Sequence, residues 1–82
     1  MTEPLTAVEL AMLDLERCPW RDPLAKEQAI RDRFGWSPTL YHHALNRLID
    51  EPAAWAADPL TVKRLRRRRA ERRAWTAADV SA

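Results

Sequence analysis

Apolar positions in this chain recur at spacings of three and four residues, the periodicity of an amphipathic α-helix. The first such stripe consists of Val8, Ala11, Met12 and Leu15. Leu10 and Leu13 lie off this stripe, so the helix is either buried on two sides or meets a partner with its outer face. β-branched residues are few, and Ala, Leu, Arg and Glu dominate. The pattern predicts an all-α fold without strands.

Helix starts are predicted where a side-chain oxygen directly precedes a proline, at Asp22-Pro23, Ser37-Pro38 and Asp58-Pro59. The oxygen can accept a hydrogen bond from a free amide of the first turn, and proline suits the first helical position. Near the N-terminus, Thr6 with Glu9 three residues later has the spacing of a capping box. These starts predict four helices, over residues 6–17, 23–34, 38–50 and 59–74, with an extra turn over residues 52–57.

The segment over residues 24–50 has the order of a helix-turn-helix. Its first helix has Leu24, Ile30 and Phe34 as apolar anchors, and Gly35 supplies the positive φ that a short turn requires. In the second helix, one face carries Tyr41, Ala44, Leu45 and Leu48. The opposite face can donate hydrogen bonds and carries no acid, which suits the major groove of DNA. We expect the base-facing residues to be Thr39, His42, His43, Asn46 and Arg47.

Composition and length limit the classes of protein that remain. The 82 residues allow one small domain, and with 46% apolar residues its core is marginal. The single cysteine, Cys18, is expected to be a small buried group, and no Cys/His set has metal-ligand spacing. Neighbouring His42 and His43 point about 100° apart and cannot clasp one metal. We expect no cofactor, no metal, no membrane span, no enzymatic activity and a cytoplasmic, nucleoid-associated location.

Positive charge is concentrated at one end of the chain. Residues 1–58 hold 6 basic and 10 acidic side chains, whereas residues 59–82 hold 8 basic and 2 acidic ones. The predicted phosphate-binding residues are Lys63, Arg64, Arg66, Arg67, Arg68, Arg69, Arg72 and Arg73. We expect Leu60 and Leu65 to dock this arginine-rich helix (residues 59–75) on a helical domain of residues 1–58. It should project or fray beyond about residue 68, with a disordered tail at 76–82.

Tryptophan is abundant, with four residues in this short chain. Trp36 and Trp55 are expected to fill the core beside Phe34 and Tyr41, because a small helical domain needs large side chains to bury enough area. Trp75 follows the arginines, where it either folds back on the domain or stays available to a partner.

Two resemblances bear on function. The fragment GWSPTLYHHALNRL is similar to the turn and reading helix of winged-helix and other bacterial regulators, although Arg31 stands where such motifs place a small residue and no β wing follows. Residues 8–72 as a whole resemble a family of short actinobacterial proteins catalogued as a domain of unknown function. The resemblance rests on the KEQAIRD helix, the FG turn, the NRLI of the next helix and the closing VKRLRR segment. It implies a small helical cytoplasmic protein with a helix-turn-helix and no assigned activity.

The sequence therefore favours a small DNA-binding protein, a transcriptional regulator or nucleoid-associated factor, whose helix over residues 38–50 enters the major groove of double-stranded DNA. The alternative is an adaptor that docks on transcription machinery or a ribosome, with incidental contact to nucleic acid. The basic run alone would also suit RNA, an acidic protein surface, or a solvated tail. Because one small domain covers little DNA, we expect a homodimer or a larger transcription complex.

Overall fold

The computed structural model describes the backbone of residues 4–81 and the side chains of residues 4–75, and this part of the chain contains no strand. Its five helices are α1 (Ala7–Arg17), α2 (Pro23–Phe34), α3 (Pro38–Leu48), α4 (Pro52–Ala57) and α5 (Pro59–Ser81). The all-α prediction is confirmed, and the extra turn expected over residues 52–57 is α4.

Local capping chemistry fixes where the helices begin. Thr6 and Glu9 form a reciprocal capping box, with the Thr6 hydroxyl accepting from the Glu9 amide at 3.1 Å. The side chains of Asp22, Ser37 and Asp58 accept amide hydrogen bonds from the first turns of α2, α3 and α5 at 3.0–3.2 Å. The predicted helix starts are therefore confirmed.

Gly35 ends α2 and sets the direction of α3. Its φ of 69° and ψ of 22° are left-handed, and its amide donates to the carbonyl of Arg31 at 2.9 Å. A side chain added there would meet nothing within 4 Å, so the backbone conformation alone favours glycine. Only residues 35–37 separate α2 from α3, as the sequence predicts.

The core lies between α1, α3 and the start of α5. Its largest fully buried side chains are Tyr41, Met12, Leu13, Leu15, Ile30 and Val62. Val8 is 45% exposed, so the stripe predicted for α1 is wrong at this position, whereas the complete burial of Leu13 agrees with the alternative that α1 is buried on two sides. The helix is covered on two sides along its second half, and Val8 lies a full turn before the core.

Two leucines that were expected to anchor helices are exposed instead. Leu24 is 72% exposed because it lies about 120° around α2 from buried Ile30. Leu60 is 80% exposed, since α5 docks through Thr61, Val62 and Leu65, which occupy another side of its first turns. The predicted docking role is correct for Leu65 and wrong for Leu60.

The helix α5 continues past the point where fraying was expected. It runs unbroken to Ser81, and the alanines of its last turns are strong helix formers. Residues 76–81 are therefore helical where the sequence predicts disorder, and Ala82 lies outside the described residues. Every described side chain from residue 70 to 75 is exposed, so the helix projects as expected.

The tryptophans divide between the core and the surface. Trp36 stacks on Phe34 with ring centroids 5.0 Å apart, which confirms its predicted packing. Trp55 is 43% exposed and lies under the guanidinium of Arg66 at 5.7 Å, so its predicted core position is wrong. The small Ala54 is buried in its place. The predicted burial of Cys18 is also wrong, because the connection after α1 leaves this residue at the surface.

Candidate nucleic-acid interface

The outer face of α3 is open to solvent. All five of its predicted base-facing side chains are exposed: Thr39, His42, His43, Asn46 and Arg47. The opposite face, carrying Tyr41, Leu45 and Leu48, is buried in the core. Burial of the apolar stripe thus holds α3 with its hydrogen-bonding side outward.

A narrow cleft joins this face to α5, and we call it the α3–α5 groove. It encloses about 60 Å³. Its lining consists of His42, Leu45, Asn46 and Ile49 from α3, Leu65, Arg68, Arg69 and Arg72 from α5, Lys26 from α2 and Glu16 from α1. Two candidate base contacts and three candidate phosphate contacts therefore share one surface.

Arg69 fixes α5 against the end of α3. Its guanidinium pairs with both oxygens of Asp50, at 2.8 and 3.1 Å, and donates to the carbonyl of Asn46 at 3.2 Å. Hydrogen bonding from Arg69 lowers the pKa of Asp50 below its usual range. This arginine is thus engaged within the domain, although the sequence assigned it to phosphate.

Arg64 is engaged in a similar way at the end of α1. Its guanidinium donates to the main-chain carbonyl of Glu16, within the last turn of that helix. Carbonyls in a last helical turn lack partners in their own helix and carry the negative end of the helix dipole. Arg64 and Arg69 therefore each satisfy an unpaired carbonyl at a helix end.

A buried polar cluster lies beneath the α3–α5 groove. The Glu16 carboxylate, 3% exposed, accepts hydrogen bonds from the Tyr41 hydroxyl and from Lys26 Nζ at 3.0 Å. Burial and the neighbouring Glu16 raise the pKa of Tyr41. Because Lys26 and Tyr41 bind both carboxylate oxygens, the acid is covered by donors on the side of the groove.

His42 borders this cluster. Its ring meets the ring of Tyr41 edge-on, with centroids 5.7 Å apart. Burial lowers the pKa of His42, and the positive charges of Lys26 and Arg72 lower it further, against the opposing effect of Glu16 and Glu27. The imidazole is therefore neutral near pH 7 and can donate or accept one hydrogen bond at each nitrogen.

The remaining candidates on α3 do not all face α5. Arg47 borders a separate hollow between α1 and α3, whose lining includes Glu9, Trp36 and Glu51. Thr39 and His43 are exposed on the strip of α3 between the two hollows. The structure thus brings His42 and Asn46 together with the arginines and sets Arg47 apart from them.

The other basic side chains of α5 are spread over its surface. Arg66 covers the ring of Trp55, and Arg67 lies 4.0 Å from Glu71. The exposed basic residues are Lys63, Arg64, Arg66, Arg67, Arg68, Arg72 and Arg73. Of these, Arg64 has its head group engaged at the end of α1.

Sequence reasoning missed Glu16, Lys26 and Asp50. A signal existed for the first two, because Lys26 lies one turn before Ile30 and Glu16 one turn after Met12, on the inward sides of their helices. Buried charges of opposite sign require each other, so these two residues could have been paired. Asp50 gave no comparable signal, since its partner Arg69 lies nineteen residues away.

No group of three or more His, Cys, Asp or Glu among the described residues could hold a metal ion. None of the described helices combines the length and the apolar character needed to cross a membrane.

Comparison with known proteins identifies a family. The family model described as a protein of unknown function, DUF3263, matches residues 4–76. No curated protein and no solved structure matches the chain.

Proposed function

This chain belongs to the DUF3263 family of unknown function, and from its own geometry we propose that it binds double-stranded DNA. In this proposal, α2, the turn over residues 35–37 and α3 act as a helix-turn-helix, with α3 in the major groove. The observation that carries the proposal is the α3–α5 groove, where Asn46 lies on one surface with Arg68 and Arg72.

The chemistry of the outer face of α3 supports reading of bases. An asparagine amide can pair with both N6 and N7 of adenine, and histidine and threonine can reach base edges or phosphates. Asn46 is the main candidate for a base contact on this face. Its main-chain carbonyl is held by Arg69, while its side chain is exposed. A fixed helix with a free amide is suited to sequence-specific contact.

The exposed basic residues of α5 support binding of the phosphate backbone. Arginines contribute affinity there without reading the sequence, and their contribution falls as salt rises. Arg69 holds α5 beside α3, and Arg64 holds it against α1. Phosphate contacts along α5 would therefore fix the register of α3 in the major groove of DNA. A homodimer or a larger transcription complex would supply the further contact area that one domain lacks.

Selection from a random duplex pool tests this proposal. The wild-type protein should recover a defined motif, and Asn46→Ala should lose about 1–3 kcal/mol of discrimination at one position of it. Gln28→Ala is the matched control, because it removes an exposed amide from α2. A protein that binds no duplex, or that loses no preference with Asn46→Ala, would contradict the proposal.

An adaptor that docks on transcription machinery or a ribosome is the second candidate. The observation that favours it is an apolar hollow of about 540 Å³ beside α1 and α4. Its lining consists of Pro4, Leu5, Leu10, Pro52, Ala53, Ala56 and Ala57. The same selection separates the two candidates, since an adaptor would recover sequences without a common motif.

A further inference from the structure

We propose that the α3–α5 groove is a seat for one backbone phosphate, held by Arg68, Arg72 and the protonated imidazole of His42. This inference rests on the proposed DNA binding and assigns His42 to the backbone, although the sequence placed it among the base contacts. It also predicts that binding of the phosphate takes up a proton.

The lining of the groove fits a phosphate. It combines His42 and Asn46 from α3 with Arg68 and Arg72 from α5. The wall residues are also matched in spacing, because His42 and Asn46 are four residues apart on α3 and Arg68 and Arg72 are four apart on α5.

The charges around the groove favour an anion. The carboxylate of Glu16 is bound by Lys26 and Tyr41, and that of Asp50 is bound by Arg69. Both acids are therefore compensated. Arg68 and Arg72 add two positive charges to the lining.

His42 couples this seat to pH. The charged groups facing it are Glu16 from α1, Lys26 and Glu27 from α2, and Arg72 from α5. In the free protein, burial and the nearby positive charges keep its pKa below the usual 6.5. A phosphate beside the ring would counter those charges and raise the pKa. The ring would then bind a proton together with the phosphate and donate from both nitrogens.

The consequence is a duplex affinity that rises as pH falls. One linked proton changes the dissociation constant by at most about tenfold per pH unit. The affinity should rise as pH falls through the raised pKa of His42 in the complex and level off below its pKa in the free protein.

Fluorescence anisotropy with a labelled duplex tests this linkage, between pH 5.5 and 8 at constant ionic strength. The wild-type protein should bind several-fold more tightly at pH 6 than at pH 7.5, and His42→Gln should abolish most of that change. His43→Gln is the matched control, because it removes an exposed histidine from the next position and should leave the change intact. A pH dependence that survives His42→Gln would overturn the proposal.

Titration with inorganic phosphate separates the seat from DNA binding. The ring signals of His42 in the NMR spectrum should report a higher pKa in phosphate than in chloride of equal ionic strength, while those of His43 change little. That shift without any duplex binding would overturn the proposed DNA function and leave the seat standing. Duplex binding without proton uptake at His42 would overturn the seat and leave DNA binding standing.

Discussion

The two halves of α5 both carry arginines but differ in environment. The docked half, residues 59–69, buries Val62 and Leu65 and directs Arg64 and Arg69 at carbonyls of other helices. The projecting half, residues 70–81, exposes every described side chain from 70 to 75. Arginine therefore has two roles in one helix, and the groups opposite it decide which one it takes.

The last turn of α3 shows this dependence clearly. Main-chain amides of residues 49–51 bind the carbonyls of residues 45, 47 and 48. The carbonyl of Asn46 is bound by Arg69 instead. Arg69 thereby supplies a hydrogen-bond donor to the C-terminal end of α3.

The largest expected effect comes from removing apolar contact in the docked half. Leu65→Ala should lower the free energy of unfolding by about 2–5 kcal/mol, the usual cost of truncating a buried leucine. Leu60→Ala changes the same residue type at an exposed position of the same helix and should cost at most about 0.5 kcal/mol. Urea unfolding of both variants measures the difference. Equal losses would contradict the docked face described above.

The contrast between these leucines also marks the limit of prediction from sequence. Helix starts at Thr6, Asp22 and Ser37 were predictable because a cap and its partner lie within three residues. The buried face of α5 was not predictable, since it depends on the positions of α1 and α4 in the fold. The carbonyl that holds Arg64 lies forty-eight residues away, and local pattern carries no information at that distance.

The candidate interface was likewise predictable from sequence only where it depends on local pattern. The exposed face of α3 was predictable from its periodicity, because burial of Tyr41 and Leu45 sets the outward side. The α3–α5 groove was not, because it forms between two helices whose contact is tertiary. The sequence predicts phosphate binding for all the basic residues of α5, although Arg69 is bound to Asn46 and Asp50 within the domain.

Removal of the projecting half should affect binding more than folding. A chain ending at Arg69 keeps every buried residue among the described side chains. Its helical circular dichroism per residue and its unfolding midpoint should therefore stay close to those of the full chain. It loses Arg72 and Arg73. The salt slope of duplex binding, about −4 to −5 for the full chain, should therefore become less steep by about 2. At 0.1 M salt, the dissociation constant should rise by tens of fold.

Anisotropy at several salt concentrations measures that slope. The matched control is a full-length chain in which Arg72 and Arg73 are both replaced by Gln, since it keeps the helix and removes the charge. An unchanged slope in both variants would show that the projecting half does not contact phosphate.

The start of the docked half should depend on Asp58. Its carboxylate caps Thr61 of α5 and pairs with Arg17 of α1, so Asp58→Ala should cost about 1 kcal/mol of stability at pH 7. Burial raises the pKa of Asp58, but the hydrogen bonds from Arg17 and Thr61 more than offset it, so the pKa lies below 3.8. This stability is present above pH 3.8 and is lost as pH falls through the lowered pKa.

Urea unfolding at pH 7 and pH 3 tests that expectation. The difference between wild type and Asp58→Ala should narrow at the lower pH. Asp14→Ala serves as control, because Asp14 is an exposed partner of the same Arg17 and caps no helix. A gap that is equal at both pH values would contradict the assignment.

The smallest expected effect separates two arginines of α5 that differ in their partners and in their burial. Arg69→Ala removes the pair with Asp50 and leaves the Asn46 carbonyl without its donor, so the urea midpoint should fall. Arg67→Ala removes a contact of 4.0 Å between exposed side chains and should leave the midpoint unchanged. Amide hydrogen exchange over residues 66–75 gives a second measurement. Protection should decrease in Arg69→Ala alone, because that side chain ties the end of the docked half to α3, and equal protection in both variants would mean that apolar packing holds α5 without it.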